Sequence, residues 1–215
     1  MGSQRIHRGD VFAVPLPDGT YLLGRVMLDI YAATKKQLFP ADSPLPGLGK
    51  AVLIEMYKQV RSSPEYVASD ILIPGAFVED DEIQRSWPVV ANVPVDVCAV
   101  EFPEAMVGYM HNTGEVAFLR GEIRLPLPFT QRKMRAMGVF QSSRSAFVWP
   151  YTCLHELGRA REIPEEFKPT AHLRHSDLRY SKHRAKVYKY LPINPKHSYY
   201  QQQSQLGLNL ERLYQ

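Results

Sequence analysis

The residues best able to do chemistry lie in the last third of the chain. Arg174-His175, Arg179-Tyr180, Lys182-His183-Arg184, Lys186 and Tyr188-Lys189-Tyr190 interleave cations with aromatic rings, a composition that suits phosphate contacts and base stacking. The same Arg179, Lys182, Lys186 and Lys189 recur at helical spacing while Leu178, Val187 and Leu191 mark another side, which is also how a solvated helix face is written. His155-Glu156 opens like a zinc-protease motif, but Arg159 stands where the second histidine is required. His172, His175 and His183 invite a metal-site reading, yet their spacing does not set all three on one helix face. Cys153 has Thr152 beside it and His155 two residues on, positions that do not face each other on a helix. No glycine-rich phosphate loop occurs, and no cofactor is implied. The expectation is a protein that is not an enzyme.

A second candidate lies mid-chain. Asp80, Asp81 and Glu82 place three carboxylates just before Trp87, a residue type that dominates interface hot spots. A Trp at this point also serves to plug one end of a sheet core, and that is the preferred reading. The candidate partner-contact residues are therefore Asp80, Asp81, Glu82 and Trp87 on the acidic side, with Arg179, Lys182 and Lys186 on the basic side.

Charge is distributed in the same two blocks. Between Asp70 and Glu104 only Arg85 opposes Asp70, Glu79, Asp80, Asp81, Glu82, Asp96, Glu101 and Glu104. From Arg120 to Lys196 the bases far outnumber the acids, so the net +4 conceals an acidic middle and a basic C-terminal third able to attract partners of opposite kinds. No apolar run is long enough to span a membrane, and the polar, basic start is unlike a secretory signal; a cytoplasmic location is expected. Cys98 and Cys153 read as free thiols, with Cys98 packed inside the apolar run Val97–Val100.

The elements that must hold these residues fall into two regions. Residues 5–126 read as β-rich. A first hairpin turns at Pro17-Asp18-Gly19; strands follow at Ala51–Lys58, Ile71–Pro74, Val97–Phe102, Val107–His111 and Val116–Arg120, with extended structure after Trp87 and a turn at Asn112-Thr113-Gly114. Pro74 marks a strand end or a sheet edge, and Val78–Arg85 suits a short helix capped by Asp80 or Asp81. Residues 127–215 read as helical: Gln131–Met137, Tyr151–Arg161, a helix from a Ser176 cap to Leu191, another from Ser198 closed by Gly207, and a last turn capped by Asn209. The fold class expected is α+β, a small, strongly bent or barrel-like sheet with the helical region packed on it.

The opening Gly9-Asp10-Val11-Phe12, the Pro15-Leu16 approach to the turn and the return strand Tyr21…Gly24-Arg25-Val26 resemble the start of the bacterial immunity protein 26 family. Phe77 to Pro94, with its apolar strand, acidic segment, Trp87 and the Val90-Ala91-Asn92-Val93-Pro94 segment, is similar to the second block of that family. The likeness covers about residues 5–125; Ser86 replaces a common Gly, and the basic tail lies beyond it. What the resemblance implies is a non-catalytic immunity protein of a bacterial polymorphic toxin system that binds its cognate protein toxin and neutralises it. The alternative is a nucleic-acid-associated β-barrel protein with a basic helical arm. No membrane partner is expected.

Overall fold

The computed structural model describes residues 6–79, 83, 87–108 and 115–215. Its first element is a hairpin of β1 (Asp10–Pro15) and β2 (Tyr21–Asp29). The turn closes as predicted. Asp18 Oδ1 accepts from the backbone N–H of Thr20 at 3.0 Å and from its hydroxyl at 2.6 Å, and Gly19 takes φ +81°, which a side chain would resist. Opposite Phe12 the return strand carries Gly24, where an added Cβ would lie 2.5 Å from the Phe12 ring and from Met56 Sδ. Both faces of β1 are apolar, and five of its six residues are buried.

β3 (Ala51–Tyr57), β4 (Ile71–Glu79) and β5 (Val89–Asn92) complete an antiparallel sheet in the order β4-β3-β2-β1-β5. Pro74 falls in β4, an outer strand, where its missing N–H is tolerated. A second antiparallel sheet, β6-β7-β8, consists of β6 (Glu104–Gly108), β7 (Val116–Arg120) and β8 (Ile123–Leu127). The architecture is thus α+β with two open sheets, and the first is not closed into a barrel. The predicted strand at Val97–Phe102 is instead a short 3-10 turn, Val97–Ala99, because the Asp96 carboxylate accepts from Cys98 N–H at 3.0 Å and fixes a turn there. That turn leaves Cys98 exposed rather than packed. Val78 and Glu79 belong to β4, while the remainder of the predicted acidic helix, except the helical Ile83, and the Asn112-Thr113-Gly114 turn lie outside the described residues.

Helices dominate after residue 128, namely α2 (Gln131–Met137), α3 (Trp149–Glu156), α4 (Lys168–Ala171), α5 (Arg184–Tyr188) and α6 (Tyr199–Gln205); α1 (Ile30–Lys35) follows β2. Thr130 caps α2 through Lys133 N–H, and Ser198 with Gln201 forms a reciprocal capping box at α6. Asn209 caps the final 3-10 turn, as expected. The predicted helix from Ser176 is broken. Asp177, not Ser176, caps a 3-10 turn at Leu178–Tyr180, Ser181 returns to extended backbone, and only Arg184–Tyr188 is α-helical.

Two large apolar clusters hold the molecule together, and both mix early and late residues. One joins Met27, Leu53 and Phe77 to Phe118, Val187, Tyr199, Leu210 and Leu213. The other joins Phe12, Ile54 and Trp87 to Trp149, Cys153 and Leu173. At the chain end, the Tyr214 hydroxyl donates to Met27 O at 2.9 Å and Arg212 Nε to Leu38 O at 3.2 Å. Removing everything after Pro128 would bare the inner face of the first sheet, an apolar patch larger than soluble monomers tolerate. The truncated chain is expected to aggregate or to lose its cooperative melt, as measured by light scattering and calorimetry; an unchanged melting temperature in a soluble monomer would show that the last third is dispensable.

Candidate interaction surfaces and their polar support

Burial of one carboxylate organises the polar chemistry. Glu104 opens β6 and its side chain is fully enclosed. Arg184 meets it with two parallel bonds, Nε to Oε2 and Nη2 to Oε1, each 2.8 Å, and the Tyr188 hydroxyl donates to Oε1 at 2.6 Å. Arg120 stands behind at 4.0 Å. Burial alone would raise the pKa of Glu104; the bonds from Arg184 and Tyr188 and the charge of Arg120 outweigh it and hold the carboxyl below its ordinary range. Tyr188, buried against that charge, is pushed up to about 12. Arg120 also donates to Gln202 Oε1 at 2.6 Å and to His197 O at 3.2 Å, and it pairs with Glu101, whose other oxygen accepts from Tyr199 N–H.

A second clamp lies beside it. Asp177 Oδ1 accepts from the backbone N–H of Glu104 at 3.2 Å, and its Oδ2 takes Arg179 Nε at 2.8 Å; Arg179 Nη2 also donates to Gly75 O on β4 at 2.6 Å. Arg144 is the third tie. Its backbone pairs with Phe77 and Glu79 at the edge of β4, while its guanidinium donates to the carbonyls of Thr170 and His172, each at 2.7 Å.

The candidate contact residues separate accordingly. Arg179 is internal, bound to Asp177 and Gly75. Lys182 and Lys186 are exposed. Trp87 is 5% exposed and stacks on Phe12 with ring centroids 5.2 Å apart, which is the core placement. Asp80, Asp81 and Glu82 lie outside the described residues. Among the described residues no group of three or more His, Cys, Asp or Glu is placed to hold a metal ion. The Cys153 thiol is buried, and burial pushes its pKa up, away from the reactive thiolate. His155, His172 and His175 form a row, with centroids 6.0 and 4.7 Å apart, that spacing arguments missed because tertiary packing of α3 on the 172–175 segment creates it. His172 Nδ1 in that row is buried without a hydrogen-bond partner.

Exposed cations collect on α2 and on the segment from Arg174 to Tyr190. These two stretches touch at both ends. At one, Tyr190 packs edge-on against Phe129, centroids 5.2 Å apart, with Lys133 Nζ 3.8 Å from the Phe129 ring centre. At the other, His175 O accepts from Phe140 N–H at 3.0 Å, and His175 Nδ1 lies 3.2 Å from Gly138 O. Among the described residues no helix is long and apolar enough to cross a membrane.

Comparison with known proteins places the front of this chain. Residues 7–104 match the model of the family described as Immunity protein 26. That span runs from just before β1 to Glu104, so it contains the whole first sheet and ends on the buried carboxylate. No curated protein and no solved structure matches the chain.

Two measurements check the polar support. Glu104→Gln removes the charge but leaves Arg184 and Arg120 in place, and breaking one side of a buried pair costs about 3–5 kcal/mol; urea denaturation should show a correspondingly lower midpoint with an unchanged slope. Because its folded pKa is depressed, the stability Glu104 contributes is present above the unfolded value of 4.5 and is lost as pH falls through the lower folded value. His172 acts at a higher pH. Burial and the nearby charges of Arg174, His175 and His155 lower its pKa from 6.5, so protonation favours the unfolded chain and stability falls as pH drops below that value. The melting temperature should decline on acidification through this window, and His172→Gln should flatten the decline; an identical pH profile in the variant would remove His172 from the cause.

Proposed function

We propose that this protein is an immunity protein of a bacterial polymorphic toxin system, binding its cognate toxin in the cytoplasm of the producing cell and blocking it by occupancy rather than by catalysis. The observation that carries this reading is the family match over residues 7–104, which takes in every strand of the first sheet. The physical character of the molecule supports it. Its buried thiol is held in the unreactive form, and the buried carboxylates of Glu104 and Asp177 are engaged by arginines, as structural ties are.

A nucleic-acid-associated role is the competing reading, favoured by the exposed Lys182, Lys186 and Tyr190. Phosphate contacts would make binding to generic DNA or RNA fall steeply with added salt. For the immunity reading, two surfaces are proposed as the toxin contact, the acidic segment Asp80–Glu82 and the basic surface containing Lys182 and Lys186.

Co-expression with the product of the neighbouring open reading frame, tested as the toxin, checks the reading. The wild-type chain is expected to restore growth and to elute with the toxin as a stoichiometric complex on size exclusion. Growth arrest despite full expression would sink it. The double reversal Asp80→Lys with Asp81→Lys should slow association with a basic toxin and weaken protection at unchanged melting temperature. Full protection by that variant would remove the acidic segment from the contact.

A further inference from the structure

The basic surface beyond the matched segment has a composition that its neighbours do not explain. In the stretches 129–140 and 174–190 the one acid is Asp177, and Asp177 is buried and bound to Arg179. The cations that remain outside are Arg132 and Arg135 on α2 and Arg174, Lys182, Lys186 and Lys189 on the second stretch, all exposed. The two stretches are pinned side by side by Tyr190 on Phe129 at one end and His175 on Gly138 and Phe140 at the other. Each end also leaves an aromatic ring in solvent, Tyr190 at 48% and Phe140 at 39% exposure.

We infer that this face, built from α2 and the 174–190 segment, is a docking surface for a protein that presents clustered carboxylates. Charge complementarity names the partner's chemistry, since six exposed cations with no exposed acid in the same two stretches create a positive field that steers an anionic surface onto this face. The rings supply apolar contact at the margins of the charged field, and aromatic and arginine side chains are the types enriched where proteins meet. A nucleic acid fits less well. Tyr190 has its ring engaged by Phe129 and Lys133, while Phe129 and Tyr188 are buried, so these rings do not form an open row of stacking platforms. Resting on the immunity reading above, the partner is the toxin, and it meets this face through an acidic patch.

The test uses the full-length chain and two fluorescent probes, a short peptide of alternating glutamate and serine and a short DNA duplex, with toxin protection measured on the same variants. Combining Lys182→Glu, Lys186→Glu and Lys189→Glu should weaken peptide binding at least about tenfold and abolish protection. The neutral set Lys182→Gln, Lys186→Gln and Lys189→Gln should give a smaller loss in the same direction. Reversing Lys35, Lys36 and Lys58, exposed cations within the matched segment, should leave both readouts unchanged. Melting temperatures of all variants should stay at the wild-type value. The inference is overturned if the wild type ignores the peptide, if both reversal sets lose it equally, or if the duplex is bound more tightly and lost with the same three lysines. It is also overturned if protection survives the Lys182, Lys186 and Lys189 reversal. A wild-type chain that binds the peptide through these lysines but gives no protection would instead sink the immunity reading and leave the acidic-protein surface standing.

Discussion

A carboxylate with no access to water must find its counter-charge inside the protein, and that requirement at Glu104 dictates how the two halves of this molecule meet. Among the described residues, none of the first hundred answers it. The groups that do, Arg184, Tyr188 and Arg120, all come later in the chain, and each brings further partners with it. Arg184 draws in the Pro195 carbonyl, and Arg120 draws in Gln202 and Glu101, so satisfying one anion fixes α5, α6 and the end of β7 together. Replacement of such a network by apolar groups is often no less stable in other proteins, but removing a single member of it leaves a bare charge in a dry site. The helical region is therefore held by a mutual obligation and not simply by its apolar side chains.

The inward-facing cationic work falls to arginine. Arg120, Arg144, Arg179 and Arg184 point inward to carboxylates or to rows of backbone carbonyls, tasks for which a planar, weakly hydrated fork is suited. Lys182, Lys186 and Lys189 remain in water, where a compact and strongly hydrated ammonium is at home. A sequence pI near 9.0 thus describes two populations, one structural and one available to a partner. The matched family segment carries the sheet, while the outward-facing cations of α2 and the 174–190 stretch lie beyond it.

What could be read from the sequence was whatever local chemistry decides. The Asp18-Gly19 turn, the Ser198 and Asn209 caps and the helix Gln131–Met137 all follow from side chains that bond to their own neighbourhood, and they stand where expected. The strand Ala51–Tyr57 was equally legible, because burial of both its faces makes it a near-continuous apolar run bounded by polar residues. Failures came where a short polar side chain redirected the backbone. Asp96 made a turn of an apolar run, and Asp177 broke a helix whose spacing looked continuous. Spacing also could not separate Arg179, an internal clamp, from Lys182 and Lys186, which are exposed, since the distinction depends on Gly75 a hundred residues away. The basic surface was visible as composition; that its halves come from α2 and from the later segment was not.

The separation of Glu104 from Arg184, 80 residues along the chain, also bears on how the protein is made. A ribosome adding about 5–20 residues per second would expose the matched segment for roughly 4–16 s before Arg184 is synthesised. During that interval the inner face of the sheet lacks its cover, and Glu104 has Arg120 nearby but not the paired bonds of Arg184. The nascent chain must keep that carboxylate hydrated, which holds β6 away from its final depth. Completion of the native core consequently waits for the synthesis of the segment that carries Arg184, Tyr188 and Tyr214.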